Sequence, residues 1–181
     1  MFCGYASPIP MFGKAFAGSD VYTVDDMPPI DVLVLTHDHY DHLDYQTVVK
    51  LNAKVKQVVT SLGVGEHLEH WGIAPEKITE LDWWETATLP ESITITAAPA
   101  RHFSGRGITR AKTLWSSFIL TIHGYQIYIG GDSGYGKHFK EIGERYIKFD
   151  LALLESGQYG VGWPNIHMQP RCCSDSIMLP Y

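Results

Sequence analysis

Residues 33–44 read LVLTHDHYDHLD, an apolar run followed at once by three histidines and three aspartates. Such side chains are poor core residues, because burying a charge or an unpaired imidazole is costly. They therefore need water, hydrogen-bonding partners or a cation, and a divalent cation satisfies the whole group best. The alternative is a solvated polar loop in which the histidines only cap a helix.

The spacing within this stretch favours a metal site. His37 and His39 lie two residues apart, so at the end of a strand both imidazoles can point the same way. Asp41 and His42 come next, and their side chains can point in a second direction. The motif can therefore hold two neighbouring metals. Imidazole and carboxylate without thiolate favour Zn²⁺, Mn²⁺, Fe²⁺ or Ni²⁺ over Cu⁺ or a structural cysteine site.

The composition is that of one ordinary globular domain over residues 1–181, with 45% hydrophobic and 19% charged residues. The formal charge of -6 and the lack of a basic stripe argue against a nucleic-acid partner. The start of the chain lacks the basic, then apolar pattern of a signal peptide, which predicts a cytoplasmic protein. We interpret Cys3, Cys172 and Cys173 as free thiols.

Apolar runs and turn residues predict an alternation of strands and helices, followed by a β-rich region over residues 77–135. This mixture of strands and helices predicts sheet layers that are flanked by helices. The predicted elements are strands over 30–36 and 56–61, helices over 45–51, 63–72 and 136–148, and a buried strand over 149–157.

The motif H-x-H-x-D-H, directly after an apolar strand, resembles the signature of the metallo-β-lactamase superfamily. The resemblance continues with His102 in APARHFSGRG and Asp132 in YIGGDSGY, and it covers approximately residues 20–170. Within the superfamily, PARHFSGR, GGDSGYGKHFKEIGERYIKFDLALLESGQY and NIHMQP are similar to the branch that contains N-acylphosphatidylethanolamine phospholipase D.

The resemblance implies an α/β fold, a four-layer αβ/βα sandwich with metals at one edge. It also implies a hydrolase that uses a metal-activated water on a phosphodiester or ester, with a lipid or small-molecule substrate. Asp132 would bridge the metals, and Asp41 would also orient the water. The implied ligands are His37, His39 and His102 for one metal and Asp41 and His42 for the other.

A loop near the end of the sequence is expected to approach the metals. Tyr159, Trp163 and His167 are the substrate-side candidates there, with Glu155 as a further candidate contact. Loop surface is the alternative for Glu155 and Tyr159.

The sequence departs from the resemblance at both ends. The branch's last histidine and its opening β-hairpin have no counterpart, so we expect a shortened domain. A short protein, a fragment or altered reading frame, and a site completed by a partner chain all explain this. Because the second metal lacks one expected ligand, a one-metal enzyme also stays open. A catalytically inactive metal-binding domain or interaction unit is the alternative function. Missing core strands would expose apolar edges, which predicts homo-oligomers or poor solubility.

Several polar residues outside the motif have two interpretations. Asp38 and Asp44 either orient imidazoles from behind or lie at the surface. We expect His67 to face solvent and His123 to lie in a hairpin turn. His138 is expected in the first turn of a helix.

Overall fold

The computed structural model describes residue 18 and residues 21–107, 109–156 and 162–169. The chain divides into two compact units. The first comprises Met1–Glu80 and Ser104–Leu114, and the second comprises Leu81–Phe103 and Trp115–Tyr181. Two sheets with their helices confirm the predicted α/β class. The single domain over residues 1–181 stays a prediction.

The first unit holds a three-stranded sheet in the order β1-β2-β3. β1 (Ile30–Leu35) runs parallel to β2 (Val55–Ser61), and β3 (Ile78–Leu81) lies on the other side of β2. Two helices, α1 (Tyr45–Leu51) and α2 (Gly65–His70), follow β1 and β2 respectively. The predicted strands and helices of this region are confirmed.

Helix α1 begins where it does because Asp44 caps it. Oδ2 of Asp44 accepts a hydrogen bond from the N–H of Thr47 at 2.8 Å, which satisfies an otherwise unpaired donor of the first turn. Val48 and Leu51 then face the core of this unit together with Leu43, which is fully buried. The loop that carries the histidines is therefore fastened at its far end by a cap and a buried leucine.

The second unit holds a five-stranded sheet. β4 to β7 are antiparallel, β8 runs parallel to β7, and helix α3 (His138–Arg145) connects these last two strands. The predicted β-rich region and the last helix are confirmed. The strands in sheet order are β4 (Thr86–Thr88), β5 (Thr94–Ala98), β6 (Ser117–Ile122), β7 (Tyr125–Ile129) and β8 (Leu151–Leu153).

The β6–β7 hairpin turns at His123 and Gly124, as predicted. Both residues have positive φ, 50° and 85°. A two-residue turn with this geometry matches the twist of the flanking strands, and it fixes the pairing of Ile122 with Tyr125.

The strand directions place three chain segments at one edge of this sheet. β5 and β7 each run antiparallel to β6, so they point the same way, and β8 is parallel to β7. The carboxyl ends of β5, β7 and β8 therefore meet at one edge. In the core of this unit, α3 packs Phe139 and Ile142 against Ala98, Ile119 and Tyr128.

The prediction of a buried strand over 149–157 is wrong in its burial. β8 is a strand of three residues, but Leu151 and Leu153 are 49% and 51% exposed. The reason is its position, because β8 is the last strand of the sheet and pairs with β7 alone among the described residues. An apolar pattern reports suitability for burial and does not report whether a neighbour covers the strand. No helix in the described part of the chain is both long and apolar enough to cross a membrane.

Candidate metal centre

In the first unit, the histidines of the motif form a cluster directly after β1. Nε2 of His37 lies 3.0 Å from Nδ1 of His39, and the rings of His37 and His42 lie 4.3 Å apart between centroids. Two nitrogens that bind one zinc ion tetrahedrally are about 3.3 Å apart, given Zn–N bonds near 2.0–2.1 Å. The spacing of His37 and His39 is close to this value, so the pair fits a cation.

Asp41 differs from these histidines in its exposure. Its side chain is 51% exposed, and its Oδ2 lies 3.6 Å from Nε2 of His42. The two side chains thus lie together, with the carboxylate on the solvent side. The roles predicted for Asp41, as a ligand and as the residue that orients water, stay predictions.

Asp38 lies behind the cluster and is buried. Its Oδ1 accepts a hydrogen bond from the N–H of Gly105 at 2.7 Å, and its Oδ2 lies 3.5 Å from Nε2 of His67. Burial by itself raises the pKa of Asp38, but the hydrogen bonds from His67 and Gly105 and the nearby imidazoles outweigh it, so the pKa is lowered. A surface position for Asp38 is therefore wrong.

The solvent-facing position expected for His67 is only partly correct, because its side chain is 33% exposed and also has a partner. Its ring contacts the Asp38 carboxylate and stacks on Trp71, with ring centroids 6.2 Å apart. This tertiary contact adds to the partial exposure because the buried Asp38 carboxylate needs a donor. Asp44, the other flanking aspartate, caps α1.

Arg106 clamps the histidine loop of the same unit. Its Nη1 donates to the carbonyl oxygen of Asp38 at 2.9 Å and to that of Leu43. The guanidinium also lies over the rings of Tyr40 and Trp71, 4.2 and 5.0 Å from their centroids. In return, the Tyr40 hydroxyl donates to the Arg106 carbonyl at 2.7 Å. One side chain thus restrains both ends of the segment that carries His39 and His42.

In the second unit, His102 follows β5 and is buried. Its Nδ1 lies 2.9 Å from the carbonyl oxygen of Ile166. A carbonyl only accepts, so Nδ1 carries the proton and Nε2 carries the lone pair of the neutral ring. Nε2 lies 3.8 Å from Oδ2 of Asp132, which follows β7 at the same sheet edge. His102 therefore directs its ligating nitrogen toward the Asp132 carboxylate.

Asp132 lies on a glycine-rich turn that other backbone approaches closely. A Cβ on Gly134 would lie 1.9 Å from the carbonyl oxygen of Asn165, so only glycine fits at this position. The N–H of Gly134 also donates to the carbonyl of Arg101 at 2.9 Å. The turn is thus tied to the segment that carries His102 and is crossed by the segment that carries His167.

His167 joins this second cluster. Its Nδ1 lies 3.9 Å from Oδ2 of Asp132, and its ring centroid is 5.1 Å from that of His102. The ligand atoms of these three residues all lie within 4.8 Å of one another. The substrate-side role of His167 stays a prediction, and its place is beside Asp132.

Glu155 follows β8 and holds this arrangement together. Its Oε1 accepts from the N–H of Ser133 at 2.8 Å and from the N–H of Met168 at 2.9 Å, while its Oε2 lies 2.8 Å from Nδ1 of His167. Its side chain is only 12% exposed. The loop-surface alternative for Glu155 is therefore wrong.

Ser133 and His138 form a buried pair behind the Asp132 turn. Nε2 of His138 lies 3.1 Å from Oγ of Ser133, which also accepts from the N–H of Arg101 at 2.9 Å. Burial, and to a smaller extent the charge of Arg101, lowers the pKa of His138 to about 4. His138 is therefore neutral at physiological pH and serves as a packed hydrogen-bonding group.

The remaining substrate-side candidates have different positions. Trp163 is 57% exposed. Tyr159 lies outside the described residues. Their predicted contacts with substrate stay predictions.

Sequence reasoning missed Arg106 and Ser133, and it named Glu155 only as a candidate substrate contact, without its role in holding Ser133, His167 and Met168. Each of these residues lies close in sequence to a recognised motif, but its hydrogen-bonding partners come from distant segments. Ser133 had a signal, because it adjoins Asp132 in a glycine-rich turn where backbone donors need partners. Arg106 had none beyond its place near the motif that carries His102.

Both clusters fit a divalent cation by their chemistry. Each contributes imidazole nitrogens with a carboxylate next to them, which suits zinc and other first-row metals. His102 has the tautomer that a ligand needs, because its Nδ1 is hydrogen-bonded to a carbonyl.

Comparison with known proteins identifies the family. Residues 10–177 match the model of the Beta-lactamase superfamily domain, so the chain belongs to the metallo-β-lactamase superfamily. An isothiocyanate hydrolase from Delia radicum gut bacteria has a similar structure, with a TM-score of 0.64 at 22% identity over 98% of this chain and 68% of that one. The predicted fold is thereby confirmed.

Two relatives in sequence are longer than this chain. An uncharacterized protein of Mycobacterium tuberculosis is 46% identical over 146 residues, which are 80% of this chain and 39% of that protein. N-acyl-phosphatidylethanolamine-hydrolyzing phospholipase D 1 of Caenorhabditis elegans is 34% identical over 165 residues, 82% of this chain and 46% of that protein. The predicted similarity to the phospholipase D branch is confirmed, and the chain spans less than half the length of either relative.

Proposed function

We propose that this chain is a metal-dependent hydrolase. Its proposed ligands are those of the H-x-H-x-D-H motif together with two residues of the second unit. The observation that carries the proposal is the approach of His102 Nε2 to Asp132 Oδ2, at 3.8 Å, by two segments distant in sequence. The proposed ligands are His37, His39, Asp41, His42, His102 and Asp132.

Zinc is the proposed metal, with Mn²⁺, Fe²⁺ or Ni²⁺ as alternatives that the same donor atoms suit. Such a cation lowers the pKa of a bound water toward neutrality and polarises an oxygen of the substrate. The protein's own part is orientation. His102 is held by the Ile166 carbonyl with Nε2 toward Asp132, and the exposed carboxylate of Asp41 is suited to orient a water and accept its proton.

The proposed substrate is a phosphodiester or another ester, with a phospholipase D-like reaction on a lipid as the leading case. The support is the 34% identity to the Caenorhabditis elegans N-acyl-phosphatidylethanolamine-hydrolyzing phospholipase D 1. Tyr159, Trp163 and His167 are the proposed substrate contacts. A cytoplasmic location, self-association and the absence of a nucleic-acid partner stay predictions from the sequence.

The test is to purify the full chain, measure bound metal by elemental analysis, and assay bis(p-nitrophenyl) phosphate, p-nitrophenyl esters and N-acyl-phosphatidylethanolamine vesicles. We expect hydrolysis that a chelator abolishes and Zn²⁺ restores. His39→Ala is expected to lose bound metal and turnover together, whereas exposed His70→Ala keeps both. Hydrolysis by metal-free protein would refute the mechanism. Bound metal without turnover on any of these substrates would favour the inactive metal-binding domain instead.

A further inference from the structure

The Glu155 carboxylate divides its two oxygens between two tasks. Oε1 accepts from two backbone N–H groups, those of Ser133 and Met168, at 2.8 and 2.9 Å. Oε2 lies 2.8 Å from Nδ1 of His167. One oxygen therefore holds backbone next to Asp132 and next to His167, and the other holds the imidazole itself.

The contact with Oε2 selects one tautomer of His167. An ionised carboxylate only accepts hydrogen bonds, so Nδ1 of His167 must carry the proton and Nε2 carries the lone pair of the neutral ring. A free histidine has no such restriction. The neighbouring His102 is restricted in the same sense by the Ile166 carbonyl, so both imidazoles beside Asp132 have the same protonated nitrogen.

We propose that Glu155 is a positioning residue that fixes the orientation and tautomer of His167, so that Nε2 is left as the hydrogen-bond acceptor for the substrate. The proposal rests on the proposed function, in which His167 is a substrate-side residue. By also accepting from Ser133 N–H, Glu155 ties the imidazole to the turn that carries Asp132. A carboxylate behind a working histidine is an arrangement whose loss typically lowers activity.

The division of the oxygens provides an isosteric test, Glu155→Gln. Its amide oxygen can replace Oε1, because two N–H donors face that position. Its NH₂ group then faces Nδ1 of His167 and donates to it, which forces the proton to Nε2. The variant keeps the backbone hydrogen bonds and reverses the tautomer.

The measurement is long-range ¹H–¹⁵N NMR of the histidine rings in the full, metal-free chain, with His167 assigned from a His167→Gln variant. We expect the Nδ1–H tautomer in the wild type and the Nε2–H tautomer in Glu155→Gln. The matched control is Glu144→Gln, which alters an exposed carboxylate 3.8 Å from Lys140 and should leave the His167 signals unchanged. An Nε2–H tautomer in the wild type, or an unchanged tautomer in a folded Glu155→Gln, would overturn the proposal.

A kinetic measurement completes the test. With metal restored, Glu155→Gln should lower kcat/KM about 10- to 100-fold while bound metal stays at the wild-type level. Unchanged kcat/KM in the presence of a reversed tautomer would also overturn the positioning role. Failure of the wild type to hydrolyse any substrate would instead count against the proposed function, and the NMR result, which needs no turnover, tells the two failures apart.

Discussion

Nε2 of His102 lies 3.8 Å from Oδ2 of Asp132, although the two residues follow different strands of the five-stranded sheet. They meet because β5 and β7 run in the same direction on either side of β6. Antiparallel pairing thus creates a shared edge to which both strands deliver their following loops. Removal of a single side chain at this edge should therefore be the most informative change.

Replacing Asp132 by alanine should weaken metal binding. The variant removes the carboxylate next to both His102 and His167, and we expect the dissociation constant for Zn²⁺ to rise by more than about 100-fold. Isothermal titration against a competing chelator measures it. The matched control is Asp31→Ala, which removes an exposed carboxylate paired with Lys56. Equal affinities in Asp132→Ala and the wild type would remove Asp132 from the proposed ligands.

Arg106→Ala should destabilise the protein. The variant leaves the carbonyls of Asp38 and Leu43 without this donor and removes the cation from the rings of Tyr40 and Trp71. We expect a loss of about 2–4 kcal/mol in the free energy of unfolding, measured by urea denaturation.

Arg145→Ala is the control for this change. Its guanidinium lies 3.9 Å from the centroid of the Trp84 ring, but the residue is exposed, so the loss should stay below about 1 kcal/mol. Similar losses in the two variants would mean that Arg106 does not clamp the loop.

Gly134→Ala should disrupt the Asp132 turn. The new Cβ would meet the carbonyl oxygen of Asn165 at 1.9 Å, and backbone would have to move to relieve the clash. We expect a loss of at least about 3 kcal/mol or failure to fold, read from thermal unfolding. Gly107→Ala is the matched control, because among the described residues, apart from its own chain neighbours, no atom lies within 4 Å of the added Cβ. A wild-type Tm in Gly134→Ala would contradict the close approach of the two segments.

The free energy of unfolding should fall as the pH is lowered, because of His138. Its pKa is lowered to about 4 in the folded protein, against 6.5 for an ordinary histidine, so the unfolded chain binds the proton more readily. The contribution of His138 is present above pH 6.5, declines as pH falls from there to about 4, and is absent below. Its size is on the order of 2–3 kcal/mol.

Urea denaturation between pH 7.5 and 4 measures this dependence. His138→Gln should flatten it in that range, whereas His70→Gln, at an exposed position, should not. An unchanged pH dependence in a folded His138→Gln would show that other groups account for the decline.

Local features were predictable because short-range interactions decide them. The apolar run of β1 and the turn at His123 each depend on residues only a few positions apart, whereas the role of Asp44 as the cap of α1 was not predicted. The motif spacing likewise predicted the grouping of His37 with His39. The resemblance to a known family added His102 and Asp132, which no local pattern connects.

Burial and partners across the chain were not predictable in this way. The apolar residues of β8 suit a core strand, but its place as the last strand of the sheet leaves Leu151 and Leu153 exposed. His67 has the pattern of a surface histidine, and a buried carboxylate from another segment makes it a hydrogen-bonding partner.

By itself, the sequence determined which residue types are available as metal ligands. It also determined which strands and helices lie next to those residues. The tertiary structure alone decided which distant groups meet, as when Glu155 receives donors from Ser133, His167 and Met168. The reason is physical. A helix cap or a hairpin turn is stabilised by hydrogen bonds within a few residues, whereas the partner of a buried carboxylate depends on how separate segments pack.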